Sequence, residues 1–500
     1  MGRLAALVCC TALLVLAPVG TVAAGTTGFA GTADAAQSGP NPCVGTVTDE
    51  PDRATVMSIQ GARGGEKTDA MLVSFAPDGS IIGVHDDSSY GRWWSYDVDR
   101  LANGNFLLPT TQSRHTVIEE IDDETGEHVS VRHFRDTLDT HDVDLINGDE
   151  ILLNDMSQDG EDRIFVYNLT REEVTWEYYF ANHTDEFPRE AGGEFGGDWT
   201  HNNDVEEIEP GVFMVSLKNF HQVVAINRST KEVVWTLGET DDTSILNLQH
   251  NPDYMVNEQG QPTVIVADSV NDRVAEYTLE DGGEASDASR TSSDSSDGKW
   301  NLTWSLVGGG LNEPRDADRL PNGNTLVSDR RGDRLLEVTP TGEVVWEVYA
   351  PWQPYDAERL GTIDESSGPA MVDAGVTGAH EMTGSASPDG ADKEACYNYI
   401  QNVTSTRLVP EDDPGPVVEA GQGGTTDDGS AETRTDADGD GSDGTGTDGQ
   451  DGDGNGDGGS VLGTTEGDGS SAFGPTALPT VLALLAVLLG IGALASRARR

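Results

Sequence analysis

From about residue 54 to residue 404 the apolar residues fall in short runs broken by turn signals, and no stretch sustains a helical period. The runs repeat. One half of the unit reads Asp97-Val-Asp-Arg-Leu-Ala-Asn-Gly-Asn-Phe-Leu-Leu, then Asp142-Val-Asp-Leu-Ile-Asn-Gly-Asp-Glu-Ile-Leu-Leu, then Asp204-Val-Glu-Glu-Ile-Glu-Pro-Gly-Val-Phe-Met-Val, and later Asp316-Ala-Asp-Arg-Leu-Pro-Asn-Gly-Asn-Thr-Leu-Val. Each predicts two strands around an Asn-Gly or Pro-Gly turn, the strongest short hairpin signal. The other half turns at Thr125-Gly-Glu, Thr170-Arg-Glu, Thr230-Lys-Glu and Thr341-Gly-Glu, and its last strand carries Trp176, Trp235, Trp304 or Trp346. Four antiparallel strands in about 45 residues are the grammar of a β-propeller blade. The tryptophans are read as core packing.

Five such units are visible, and a sixth closes the ring from both ends, with a hairpin in Ala70–Asp86 and the segment Gly375–Gln401 supplying the remainder. The fold expected is therefore all-β, a six-bladed β-propeller with four-stranded antiparallel blades over residues 54–404. Closing the ring across the termini removes an exposed sheet edge. The polar stretch Glu280–Lys299 reads as a loop inserted in the fourth unit.

The flanks differ in kind. Arg3, an apolar run from Leu4 to Val22 and the small residues Ala23-Ala24-Gly25 have the layout of a secretory signal over residues 1–24, with Ala33–Ala36 an equally good cleavage point. Residues 410–472 are nearly all Gly, Asp, Thr and Ser and cannot bury enough surface to offset chain entropy, which predicts a disordered acidic stalk. Its Asp-Gly pairs lack the regular apolar residue that a packed calcium-binding repeat needs. Ala477–Ala495 is uncharged and long enough to cross a bilayer, and Arg497, Arg499 and Arg500 follow it. A C-terminal transmembrane helix is expected, with membrane attachment through it and the folded part on the extracellular face. Ala472-Phe-Gly-Pro ahead of it is loosely similar to sorting signals after which such a helix is exchanged for a lipid.

Charge sharpens this picture. The chain carries −58, of which the stalk, with 17 acids and one Arg, holds −16, so the folded part is itself strongly acidic. Lysine is confined to Lys67, Lys218, Lys231, Lys299 and Lys393. An acid-coated, Lys-poor surface keeps a protein soluble where salt screens ordinary repulsion, which points to a halophilic host, and it disfavours nucleic acid as a partner. Cys9 and Cys10 leave with the signal. Cys43 and Cys396 then flank the folded region, and a disulfide between them would join its two ends, two free buried thiols being the alternative. Sequons at Asn168, Asn182, Asn227, Asn301 and Asn402 fit glycosylation of an exported chain, though two or three would arise by chance.

In a propeller the innermost strands line a central channel, so the residue ahead of each Asp-Val-Asp strand faces a common axis. His141 stands there in the second unit, His201 three residues ahead of the aligned Asp in the third, His250 in the fourth and Arg315 in the fifth. Strand caps, a metal site and a non-catalytic anion site would each use such residues. So would catalysis, because imidazole is a nucleophile near neutral pH and adjacent cations stabilise a transferring anionic group. Within any one unit no tight metal-ligand spacing occurs.

Trp199-Thr-His-Asn-Asn-Asp-Val, Ser216-Leu-Lys-Asn-Phe-His-Gln, Val233-Val-Trp-Thr-Leu-Gly and Gln249-His-Asn-Pro-Asp resemble the arylsulfotransferase family, in the branch found in haloarchaea, over most of residues 54–400. The resemblance implies a six-bladed propeller that moves a sulfuryl group from a phenolic sulfate donor to a phenol acceptor through a transiently sulfurylated histidine, with no metal or organic cofactor. It makes His250 the nucleophile and His201 and His141 ligands of the sulfuryl group. The family's arginine is matched by Lys218, a departure, since a point charge replaces a planar fork. Lys218 and Arg315 are the substrate-binding candidates. The alternative is a non-catalytic surface propeller that binds an anionic ligand or envelope glycan. A quinoprotein-like dehydrogenase, which also has tryptophan-bearing blades, needs a wider ring than five visible units support.

Overall fold

The computed structural model describes residues 41–416 apart from 64–65, 157–159, 281–298, 363–364 and 388. Six antiparallel sheets follow one another along the chain. Blades 1 to 5 start from the inner strands Asp99–Arg100, Val143–Ile146, Asn202–Glu209, His250–Val256 and Asp316–Arg319. In blade 1, Arg92–Ser95 pairs along the same edge of Phe106–Gln112 as Asp99–Arg100 does. The expected hairpin turns are present, with Gly104, Gly148, Gly211 and Gly323 all at positive φ, where a side chain would be strained.

Blade 6 corrects the sequence expectation. Its inner strand is Pro354–Arg359, not Gly375–Gln401, and it pairs Thr55 with Arg359 before Thr55–Ile59, Met71–Phe75 and Ile81–Asp86 complete the sheet. The displaced segment has two other uses. Gly378–Glu381 adds a parallel fifth strand to the outer edge of blade 4, and Gly390–Ile400 is an α-helix started by an Asp389 capping box. At the N-terminal end, Val44–Val47 pairs with Val344–Tyr349 as a fifth strand on blade 5. A Cys43–Cys396 disulfide then ties this added strand to the helix. The bond is buried with Met57, Phe75, Trp346 and Ile400.

The cores lie between blades. Consecutive residues of a strand point to opposite faces, so Leu72 and Val73 enter different clusters, as do Leu107 and Leu108. Apolar clusters fill all six interfaces between neighbouring blades, 6 with 1 included, so every blade packs both its faces and the ring is closed. Three of the repeated tryptophans also bond across these interfaces. The indole N–H of Trp176, Trp304 and Trp346 donates to the carbonyls of Arg228, Pro340 and Pro77, each in a turn of the next blade, at 2.8, 2.8 and 2.9 Å.

The inner strands, which have no sheet neighbour on their channel side, explain the repeated acids. The Asp142 and Asp144 carboxylates accept from Val205 N and Glu207 N of the next blade at 2.5 and 2.8 Å, and Asp356 accepts from Val98 N at 2.9 Å. Each carboxylate satisfies an edge N–H that would otherwise lack a partner.

The flanking expectations fall largely outside this structure. The signal of residues 1–24 and the apolar helix of 477–495 lie outside the described residues, and among those described no helix is long and apolar enough to cross a membrane. Residues 410–416, assigned by composition to the stalk, are described, and Asp413 is held by Arg100 at 2.6 Å. The remainder of the stalk lies outside the described residues. So does residue range 281–298, which contains most of the loop expected in the fourth unit.

Candidate active site

Six residues occupy one equivalent position at the start of the inner strands: Tyr96, His141, Asn203, His250, Arg315 and Tyr355. Each follows by two a non-glycine residue in left-handed backbone: Trp94, Asp139, His201, Leu248, Glu313 and Gln353, with φ between 46° and 72°. Such a conformation costs about 1–2 kcal/mol per residue, so the surrounding packing must impose it. The repeat delivers six side chains to one end of the channel. It also corrects the sequence alignment, since His201 is two residues out of step with His141 and His250. Asn203 takes the blade 3 place, and the 181–201 loop ahead of it brings His201 in from the side.

Tyr355 is the hub of the cluster. Its ring centroid lies 5.4 Å from Tyr96, 5.6 Å from His141 and 6.3 Å from His250, edge to face in each case. Its hydroxyl is 3.2 Å from His141 Nδ1 and 3.3 Å from the Asn203 carbonyl. Tyr96 stacks on His141 at 4.1 Å and donates to Asp139 at 2.6 Å. Burial raises both phenols well above the ordinary tyrosine range, so they are neutral hydrogen-bond donors here. Burial opposes charge on Asp139, but its contacts with His141 and Tyr96 and the imidazole charges outweigh this and hold its carboxyl below the usual range.

Hydrogen bonds orient the other two imidazoles as well. His250 Nδ1 lies 2.9 Å from Ser269 Oγ and 3.1 Å from Leu248 O, while Ser269 Oγ donates to Pro314 O at 2.7 Å. The serine proton is thus committed elsewhere. Leu248 O can only accept, which favours the imidazole proton at Nδ1, and the Arg315 guanidinium packs against the ring within reach of both nitrogens. His201 is held through Nδ1 by Asp198 at 2.7 Å and accepts from Lys218 Nζ at Nε2, 3.1 Å away. Lys218 itself begins a short turn after Val212–Leu217, and its backbone N–H bonds to His201 O at 3.1 Å. Thr200, next to His201, donates through N and Oγ1 to Asp162 at 2.9 and 2.7 Å.

The sequence-predicted residues therefore meet in two groups. His141 and His201 are neighbours, 5.4 Å apart edge to face, with Lys218 beside His201. His250 and Arg315 form the second group across Tyr355. All five side chains are at most 5% exposed. Sequence reasoning missed Tyr96, Asn203 and Tyr355, although a signal existed: each directly precedes an inner-strand Asp, and Pro354-Tyr-Asp-Ala-Glu-Arg parallels Pro314-Arg-Asp-Ala-Asp-Arg.

Below this cluster the channel is acidic. The inner strands continue as Asp97 and Asp99, Asp142 and Asp144, Asp204 and Glu206, Asn251 and Asp253, Asp316 and Asp318, Asp356 and Glu358. Eight of these twelve line one narrow cavity, and oxygens of Asp253, Asp316 and Asp318 lie within 4.8 Å of one another. Burial, then the surrounding carboxylates, raise Asp204 and Asp316 well above the usual carboxylate range.

The remaining site candidates are spread over the surface. Asn182 and Asn402 are exposed, and Asn227 and Asn301 are half-buried. Asn168 is 3% exposed and its amide nitrogen donates to Asp149 at 3.0 Å, so a glycan on that nitrogen would have to displace this buried contact.

A family model for the arylsulfotransferases (ASST) matches residues 79–253. That range runs from the outer hairpin of blade 6 into the inner strand of blade 4 and includes His141, His201, Lys218 and His250. No curated protein matches the chain in sequence. Among solved structures, a protein of unknown function from Bacteroides caccae aligns at 12% identity with TM-score 0.40, over 61% of this chain and 98% of the other. Virginiamycin B lyase from Staphylococcus aureus aligns at 9% with TM-score 0.34, over 60% and 82%. At such distances the fold rests on the six sheets of this chain itself.

Proposed function

We propose that the chain is a sulfuryl-transfer enzyme of the arylsulfotransferase kind, moving a sulfuryl group between phenolic compounds through His250. The observation that carries this proposal is the His250 environment: a buried imidazole with Nδ1 held by Ser269 and Leu248, and the Arg315 guanidinium packed against its ring. Support also comes from the family match across 79–253.

In the first half-reaction, His250 Nε2 attacks the sulfur of an aryl sulfate. The N–S bond forms as the bond from sulfur to the aryl oxygen breaks, and the phenolate leaves with the electron pair. Arg315 on one side, and Lys218 with the neutral Tyr355 phenol on the other, stabilise the sulfuryl oxygens, the effect expected to dominate for a loose, charge-spread transition state. In the second, an acceptor phenol passes its proton to His201 or His141, its oxygen attacks sulfur, and the N–S bond breaks. Phenols suit both directions, being good leaving groups and competent nucleophiles.

Exchange between a phenolic sulfate and a second phenol tests this with the purified protein. Transfer by the wild type, reduced at least about 10³-fold in His250→Asn, is expected. Transfer undiminished in that variant would remove His250 from the chemistry.

Burial of all five side chains favours a second reading, an anion-binding propeller without turnover. It predicts tight sulfate binding and no exchange with any donor. From the sequence features of the two ends, we place the activity outside the cell on a membrane-anchored chain of a halophilic host. Recovery of the protein in a soluble cytoplasmic fraction would contradict that placement.

A further inference from the structure

A second cluster lies away from the channel, between the outer strands of blades 6 and 1. His85 belongs to Ile81–Asp86 and Asp87 follows it, Glu119 sits in His115–Ile121, and His128 opens His128–Phe134. One donor atom from each of the four lies within 4.8 Å of the other three. His85 Nε2 is 3.4 Å from Asp87 Oδ1, and His128 Nε2 is 3.1 Å from the same oxygen and 2.6 Å from Glu119 Oε2. A tetrahedral ion with bonds of about 2.1 Å sets its ligand atoms about 3.4 Å apart, close to the first two of these spacings.

With both imidazoles neutral, the hydrogen bonding of the cluster is incomplete without a cation. His85 donates from Nδ1 to the Gly126 carbonyl at 2.9 Å, so its Nε2 presents a lone pair to the carboxylate of Asp87. Both of those atoms are buried, and neither has a hydrogen-bond partner. His128 Nε2 faces a second conflict. It would have to donate to Glu119 and accept from Arg92 Nη1, 2.9 Å away, with one nitrogen. Arg92 also touches Asp87 and Glu119 but cannot accept from either imidazole. An ion among the four atoms lets both imidazoles offer lone pairs and both carboxylates offer charge; it takes the place of the Arg92 contact with His128 and leaves Arg92 to the two carboxylates. The Gly126 bond is the kind of outer contact that fixes the ring of a metal-bound histidine.

We infer that His85, Asp87, Glu119 and His128 bind one divalent transition ion of the zinc class. Two imidazoles select against calcium and magnesium, which take oxygen ligands. The site joins the blade that the chain termini close to the first blade after it. It borders a cleft of about 590 Å³ lined by Ser89, Tyr90, Glu127, Gln401 and Thr406, so one side of the ion faces space large enough for a small ligand. This assignment is independent of the sulfuryl-transfer proposal.

Zinc titration of the full chain tests it, after EDTA stripping and in about 1 M salt, where screening to about 3 Å suppresses loose binding to the acidic surface. One equivalent of ZnCl₂ taken up stoichiometrically, with a rise in unfolding temperature, is expected. His85→Ala and His128→Ala should each lose that equivalent, while His115→Ala, which breaks the separate His115–His133 pair, should keep it. Should either variant fail to fold by circular dichroism, CoCl₂ added to the stripped wild type decides. Intense visible absorption of a tetrahedral site supports the assignment, and the weak spectrum of the hydrated ion overturns it. Zinc uptake unchanged in both variants, or absent from the wild type, would show an ion-pair cluster closed by Arg92 instead.

Discussion

Asp162 shows how the site depends on a residue that offers no chemistry of its own. It is 1% exposed, and its carboxylate holds the Thr200 N–H and hydroxyl beside the left-handed His201. Burial raises its pKa to about 6, the Thr200 bonds oppose the shift, and Asp198 and Asp155 add to it. A carboxyl whose pKa is higher in the folded state favours folding below its unfolded value of about 3.9, and that contribution is lost as pH rises through about 6. Asp162→Asn keeps an oxygen to accept from Thr200 and has no charge to bury. Its stability relative to wild type should therefore improve between about pH 4 and pH 7, by up to roughly 3 kcal/mol, measured by urea unfolding at both ends. A gap independent of pH would contradict this account of Asp162. Nothing in the sequence signals it, because its partner lies 38 residues away in the next blade. His250, Arg315 and Lys218 were legible because their neighbours in sequence mark them. The offset of His201, three residues ahead of Asp204, is visible in the sequence, but reading His201 as the blade 3 channel residue passes over Asn203, which fills the equivalent place.

Among the elements, turn chemistry was the most legible level. Asn-Gly and Pro-Gly pairs located four hairpins, and the tryptophans marked outer strands that bond to the next blade. The inner strand of blade 6 was missed because Pro354–Arg359 has no hairpin partner in sequence; its partner, Thr55–Ile59, lies some 300 residues earlier. That long closure is held by Val44–Val47 on blade 5 and by the Cys43–Cys396 bond to the helix. The disulfide closes a loop of 353 residues, for which the chain-entropy model gives about 6 kcal/mol, above the range usually measured. Cys43→Ser should lower the denaturant midpoint and expose the outer strand of blade 5 to proteolysis before the remaining blades. Equal midpoints for Cys43→Ser and wild type would mean that the interface between blades 5 and 6 suffices alone.

At the scale of the whole molecule, the acid excess is internal as well as superficial. Eleven of twelve aligned inner-strand positions are carboxylates, several of them bonded to the backbone of the next blade, and burial, then crowding by their neighbours, raises Asp204 and Asp316. Screening shortens from about 10 Å at 0.1 M salt to about 3 Å at 1 M, so dilution should lower the unfolding temperature. Asp316→Asn should raise it at pH 7 and weaken its dependence on salt, and a variant no more stable than wild type in low salt would contradict channel repulsion as the cause. Composition revealed the charge but not this concentration of it, which depends on the register that stacks the six inner strands. The same register delivers Tyr96, His141, Asn203, His250, Arg315 and Tyr355 to one end of the channel. The most direct test of the sulfuryl-transfer account is to mix the protein with an aryl sulfate in the absence of acceptor, quench, and map the modified peptide by mass spectrometry under alkaline conditions. The account predicts a burst of one phenolate per active chain and one SO₃ group on His250; phenolate release with no label on His250, or no burst at all, would contradict it.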